Sequence, residues 1–337
     1  MDILKLEPFA YGFKNADVSV VSPEYEREYR IACGMKSLCE NVKLTINPED
    51  WFAGPCCHYA DIGIYYSRGN GACSRERIIN AKKEKYPEFA DELEALRAEF
   101  EKTSIGYHRN RAMTPLQHKL DEARCCWGTG GGHANPDYEM LLRVGTTGIR
   151  ERVALFKGIH KEKEGFYLSL EVALQTIEIL AARYKKIAEE MLPDANEKDA
   201  AVLKRIISAF ENVPYNQPRN FFEACQFFWL AYSFIDNDSP GLFDYAMGRY
   251  YENDDPDDRY ECLKKLWMLF KRVRAWNLCV GGSDEHWNDM SCTLTYDVLR
   301  VARELRINTP NITMRFHRNS PERAWREAAE TIANGES

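Results

Sequence analysis

The chain reads as an α/β protein in which helices far outnumber strands and the strands run parallel. Three observations predict this class. Apolar residues recur at spacings of three and four through most of the sequence, the mark of amphipathic helices. Two short runs, Asn277 to Gly282 and Ile312 to His317, have the texture of buried strands. A helical stretch separates them, and strands joined through helices pair in parallel. No repeat, low-complexity tract or Ser/Gly linker interrupts the 337 residues, so one continuous unit is preferred to the roughly two domains that length alone would allow.

Taken in order, residues 1–24 lack clear periodicity and read as an irregular N-terminal arm, with 25–337 as the folded domain. Pro23 to Glu40 carries Tyr25, Tyr29, Ala32, Cys33 and Leu38 on one helical face. Val42 to Phe52 alternates loosely around a turn at Asn47-Pro48-Glu49-Asp50. Residues 54–74 mix Gly, Cys, Tyr and Ser and read as a folded loop. A charged helix follows over Glu76 to Lys102, broken at Tyr86-Pro87. The glycine-dense loop from Cys125 to His133 leads into a helix opened by Pro136-Asp137-Tyr138. Further helices span Phe166 to Met191, Lys198 to Asn212, Arg219 to Ile235, Arg259 to Trp276 and Met290 to Arg306. Arg219 to Ile235 is apolar all round and therefore buried. The last helix starts at Ser320-Pro321-Glu322, with serine as N-cap and proline at the first position, and ends at Asn334-Gly335.

Composition narrows the function classes. Hydrophobic residues make up 45% and charged residues 29%, ordinary for a globular chain. The charges sum to 45 − 52 = −7, so no broad basic surface for nucleic acid is implied. No stretch reaches the ~18 uncharged apolar residues of a membrane span. The acidic start, Met1 to Pro8, lacks the apolar core of a secretory signal. Eleven cysteines in such a chain read as mostly free thiols in a reducing cytoplasm. Cys56, Cys57, His58 and Cys73 could be forced into a zinc set, but a C-x-x-C knuckle is missing and free thiols are preferred.

Several positions could carry chemistry. Glycines let a backbone approach a ligand closely, and His133 ends the glycine loop, where its imidazole can move a proton near neutral pH. A tight turn with a surface histidine is the plainer reading. A phosphate cradle is disfavoured, because the G-K-[ST] ending and the G-x-G-x-x-G pattern are both missing. Asp137 is explained by helix capping. Asp244, in an aromatic setting, is expected to pair with Arg249 or Arg272, because buried charges need partners. Gly281-Gly282 closes the first strand, and C-terminal strand ends face active sites in parallel architectures. Arg315 and His317 share one face of the second strand, where they would line an interior or lie exposed. Cys225, Cys279 and Cys292 sit in apolar runs and read as inert thiols.

Six segments, in order, resemble the N-terminal half of the pyruvate formate-lyase-like glycyl radical enzymes. Gly132-His133-Ala134-Asn135-Pro136-Asp137-Tyr138 resembles the family's G-H-x-x-x-D-Y, and Ala181-Ala182-Arg183-Tyr184 its helix ending in N-R-Y-A. Pro218 to Trp229 resembles P-x-[ST]-F-x-E-A-x-Q-x-x-W. Phe243-Asp244 with Tyr250-Tyr251 resembles R-F-D-Q…P-Y-Y. Asn277 to Gly282, and then Pro310 to His317 with Ser320-Pro321-Glu322, resemble N-L-x-V-G-G…P-N-L-S-V-R-x-H…T-P-E.

The resemblance covers residues 25–337 and implies the helix-rich N-terminal half of a ten-stranded α/β barrel. It implies C–C or C–X cleavage of a small substrate by a thiyl radical. That radical comes from a glycyl radical installed by a radical S-adenosylmethionine activase. Among site residues it implies substrate contact for His133, and it adds Cys125 and Asp244 as pocket residues. Tyr245 departs from the family's glutamine. The cysteine and glycine loops are not found in these residues, and no cysteine stands in a G-C-x-E context. The chain is therefore expected to be a portion of an enzyme, inactive alone, with no bound cofactor, a homodimer when full length. The other reading is a non-catalytic binding or regulatory module that keeps the half-barrel.

Overall fold

The computed structural model describes residues 7–54, 72–101, 105–123, 125, 135–235 and 239–334. The chain divides into two compact units. The first takes in Met1–Lys43, Cys57–Gly132 and Lys157–Thr176; the second takes in Leu44–Cys56, His133–Phe156 and Ile177–Ser337.

In the first unit, the segment read as irregular contains a helix, α1 (Pro8–Lys14). Proline opens it, and Phe9 and Phe13, one turn apart, bury their rings with Leu38 of α2 (Glu26–Asn41). The Gly34 position on α2 makes the approach possible, since a Cβ there would lie 2.7 Å from the Phe9 ring. Arg30 donates to the carbonyls of Phe13 and Lys14, both at 3.1 Å, and so satisfies orphan acceptors at the end of α1. Seven residues are too few for periodicity to stand out, and a helix this short depends on tertiary packing.

The charged helix breaks at Tyr86-Pro87 as expected, into α3 (Ala72–Lys85) and α4 (Ala90–Glu101). Two helices that periodicity missed follow, α5 (Ile105–Ala112) and α6 (Pro115–Glu122). The signal for α6 lay in its cap. Thr114 Oγ1 accepts from Gln117 N at 3.3 Å while Gln117 Oε1 accepts from Thr114 N at 2.8 Å.

Most of α7 (Tyr138–Ile159) belongs to the second unit, and Asp137 accepts from Met140 N at 3.0 Å as its helix cap. Gly145 interrupts α7 with φ 64° and ψ −179°. The break turns the amides of Thr146 and Thr147 onto the carbonyls of Pro214 and Tyr215, at 2.8 and 3.1 Å. A Cβ at 145 would stand 2.2 Å from the Tyr215 oxygen, which is backbone and cannot yield cheaply. Gly145→Ala is therefore expected to cost about 2–3 kcal/mol in urea denaturation, from the strained φ and the clash together.

The helices α8 (Glu164–Met191), α9 (Glu197–Asn212) and α10 (Phe221–Ile235) match the expected ones within a few residues. The helical stretch Lys161–Asp194 is long and apolar enough to cross a membrane, with a mean hydropathy of 1.3 over its best window. A core helix passes the same test, and Ile177, Leu180, Ala181, Tyr184 and Ala188 are buried along one face. In α10, Phe227, Phe228, Trp229 and Leu230 are all fully buried. Its buried Gln226 acts as a strand partner for Ala53, donating to the carbonyl at 2.6 Å and accepting from the amide at 2.9 Å. The turn at Pro48–Asp50 is present, capped by Asn47.

The sheet is parallel, in the order β1 (Gly241–Leu242), β2 (Asn277–Gly281), β3 (Asn311–Arg315). Leu242 lies opposite Cys279, and Cys279 opposite Thr313. The helices α11 (Phe243–Glu252) and α12 (Pro256–Val273) join β1 to β2, and α13 (Thr293–Leu305) joins β2 to β3. Leu278 and Val280 are buried on the helix side, while Asn277 and Cys279 face the more open side with Thr313 and Arg315. The two-residue β1 was too short to be read from sequence. The final helix, α14 (Glu322–Ala333), takes Pro321 as its N-cap. The expected cap Ser320 instead accepts from His317 N at 2.8 Å.

Candidate functional site at the strand ends

The C-terminal ends of the three strands converge on one peptide, that of Gly281. Because β1 stops after two residues, no backbone carbonyl is left to accept the Gly281 amide. Asp244, two residues past β1, takes its place, and its Oδ2 accepts from Gly281 N at 2.7 Å and from Thr295 Oγ1 at 2.5 Å. The residue is only 5% exposed. Burial pushes its carboxyl above the ordinary aspartate value, partly offset by those bonds, by the Tyr245 amide and by the Arg315 charge.

From the other side, Arg315 Nε and Nη2 donate to Gly281 O at 3.1 and 2.6 Å. The guanidinium lies directly over Gly282, where a Cβ would be 2.7 Å from Nη2 and 2.8 Å from Cζ. Gly281 and Gly282 both have left-handed φ, 68° and 106°. The glycine pair thus serves a turn and a close approach at once.

His317, two residues further, is held by the loop that follows β2. Its Nδ1 accepts from Asn319 N at 3.3 Å, so in the neutral ring Nε2 bears the proton and donates to Asp289 Oδ1 at 3.1 Å. Ser291 Oγ also donates to Asp289 Oδ1, at 3.2 Å. The loop is fastened to the strand end by Met290 N on Gly282 O at 3.0 Å. Asp284 organises its tip, accepting from the amides of His286 and Asn288 at 2.8 and 2.9 Å.

The expected ion pair of Asp244 is corrected. Arg272 forks onto Asp50, and Asp244 is satisfied by an amide and a hydroxyl. Sequence reasoning missed Thr295, which has no signal beyond its place in the first turn of α13. It found Arg315 through strand alternation but not its target. His133 and the rest of 126–134 lie outside the described residues, as do Cys56, Cys57 and His58. Cys125 is exposed, in the first unit, and donates weakly to Ala123 O at 3.5 Å.

A family model described as pyruvate formate lyase-like matches residues 21–337. The chain belongs to this pyruvate formate lyase-like family. Among curated relatives of the family, the isethionate sulfite-lyase of Desulfovibrio desulfuricans is 28% identical over 238 residues, 59% of this chain and 29% of that protein. The trans-4-hydroxy-L-proline dehydratase of Clostridioides difficile is 23% identical over 201 residues, 50% of this chain and 25% of that protein. Among solved structures, the glycerol-bound B12-independent glycerol dehydratase of Clostridium butyricum superposes with a TM-score of 0.78 at 21% identity, covering 98% of this chain and 47% of that one. The pyruvate formate lyase-like chain therefore has the family's barrel fold over about half the length of the solved relative, and aligns with less than a third of the curated ones.

Four described thiols belong to the second unit, and none of them stands in the family's G-C-x-E context. Cys225 in α10 and Cys262 in α12 are buried in helix packing, and burial pushes both thiols up. Cys292 opens α13, half-buried, with its thiol also raised by burial. Cys279 lies within β2, accepting from Asn277 Nδ2 at 3.9 Å. Among the described residues no group of three or more His, Cys, Asp or Glu could hold a metal.

Proposed function

We propose that these residues form the first half of the barrel of a glycyl radical lyase or dehydratase that acts on a small substrate. The observation that carries this reading is the clamp on Gly281. Family segments far apart in sequence meet there, at the strand ends where parallel α/β proteins place their chemistry. The names of the relatives, sulfite-lyase and dehydratases, support C–X cleavage over the other chemistries of the family. In this reading the chain's own residues shape and exclude water from a site. Asp244 and Arg315 position the Gly281 turn, and the family resemblance alone assigns substrate contact to His133 and, more weakly, a pocket role to Cys125. In this reading the thiyl cysteine and the radical glycine belong to sequence outside these residues, and a radical S-adenosylmethionine activase is the partner that installs the radical on that glycine. The assembled enzyme would be a homodimer of the cytoplasm.

The test is anaerobic incubation of the 337-residue chain with an activase of the family, followed by electron paramagnetic resonance. The expected result is no glycyl radical signal from this chain alone, and a signal when a polypeptide carrying the rest of the barrel is supplied. A radical signal from the chain by itself would overturn the reading.

A further inference from the structure

Arg315 has donors that the Gly281 clamp does not use. Its Nε and Nη2 spend one edge of the guanidinium on a single carbonyl oxygen. The other edge, formed by Nη1 and the second Nη2 hydrogen, has no acceptor among the described residues, and no carboxylate forms an ion pair with it. Asp244 acts on it only through space, its carboxylate being bound to Gly281 N and Thr295. On the loop after β2, Asp284 is bound by His286 and Asn288, and Asp289 by His317 and Ser291. The unused edge is not among the buried unpartnered groups, so it stays open to solvent and to a ligand. The backbone here favours keeping the guanidinium in place, because Gly282 leaves room for the planar group where any Cβ would displace it. The unused edge is the one whose two parallel N–H groups match a pair of oxyanion oxygens.

We propose that Arg315 is an anion-recognition residue, presenting this edge to the carboxylate or sulfonate of a small substrate. The inference rests on the functional reading above and narrows its substrate class from small molecules in general to anionic ones. The Gly281 carbonyl fixes the guanidinium's plane beforehand, so little rotamer freedom remains to be lost on binding. Lysine would keep the charge but not the paired donors, nor reach Gly281 in the same geometry.

The test needs no radical, so it is independent of the activation experiment. The full chain, with arginine side chains labelled with nitrogen-15, is titrated at low salt with sodium acetate, sodium methanesulfonate and neutral propane-1,2-diol. The Arg315 Nε–H signal is followed, identified by its loss in Arg315→Lys. At least one anion should shift the signal saturably and the diol should not; which anion binds tighter separates carboxylate from sulfonate. Saturation transfer to the methyl protons of the same anions should show affinity weakened about tenfold or more in Arg315→Lys. Equal shifts with the diol, no shift with either anion, or unchanged affinity in a folded Arg315→Lys would overturn the proposal. If that variant fails to fold, the signal is assigned instead by through-bond correlation from the Arg315 backbone amide, and the Nε titration of the unsubstituted chain decides. Anion binding without a radical signal from the completed barrel would remove the functional reading and leave the anion site; the reverse result would remove only the site.

Discussion

Phe228→Ala is expected to destabilise the second unit by about 3–5 kcal/mol, the range for emptying a large aromatic site in a packed core. The ring is fully buried on α10 and lies at the centre of an aromatic cluster. Its centroid is 4.6 Å from Tyr138, 5.5 Å from Phe243, 6.0 Å from Tyr232 and 6.1 Å from Phe270. Those partners come from α7, α11, α10 and α12, so the cavity would loosen several helices at once. Phe243 directly precedes Asp244, and its edge-on contact with Phe228 helps hold α11 where the carboxylate meets Gly281. The same substitution should therefore speed hydrogen exchange at the Gly281 amide beyond the global loss of stability. Urea denaturation measures the first effect and amide exchange the second. Ile332→Ala, at a side chain 73% exposed, serves as control and should stay within about 0.5 kcal/mol. A loss below about 1 kcal/mol at Phe228 would show that the core collapses around the gap.

How much of this was legible beforehand follows from the physics of each element. The long helices were readable because each buries one face, and a repeated three-and-four spacing survives over four or more turns. The parallel strands β2 and β3 were readable from apolar texture and from the helix between them. What was lost had no periodicity to offer. The seven residues of α1 and the two of β1 gain their structure from neighbours, and α6 is marked only by its cap. At the site, residue types were visible but partners were not. Asp244 needed a partner by its chemistry, and charge arithmetic offered arginines. The partner turned out to be an amide exposed by the early end of a strand that could not be seen. Arg315 was placed on the correct strand face, yet its target is a carbonyl whose availability depends on the same early end.

Removing the Asp244 carboxylate should weaken this junction in a way that depends on pH. Asp244→Ala leaves the buried amide of Gly281 and the hydroxyl of Thr295 without their acceptor and opens a small gap, expected to cost about 2–4 kcal/mol. Asp244→Asn keeps the shape and one acceptor oxygen but aims an N–H at a donor, for about 1–2 kcal/mol near neutral pH. The sign of the pH effect follows from burial, the largest influence on this group, which raises its carboxyl in the folded chain above the ordinary 3.8. In the window above 3.8 the folded protein holds a proton that the unfolded chain has released. The group's stabilising contribution is thus fully present below 3.8 and is lost as pH rises through the folded value. Asparagine does not titrate, so the stability of the parent minus that of Asp244→Asn should fall as pH rises through this window and then level off. Other carboxylates contribute alike to both proteins and cancel in the difference. Urea midpoints for the pair between about pH 4 and pH 8 provide the measurement. A difference that grows with pH would mean that the hydrogen bonds from Gly281 and Thr295, with the charge of Arg315, outweigh desolvation at this carboxylate. The junction would then be held by an ionised aspartate at every working pH, and the penalty for Asp244→Asn would be largest on the alkaline side.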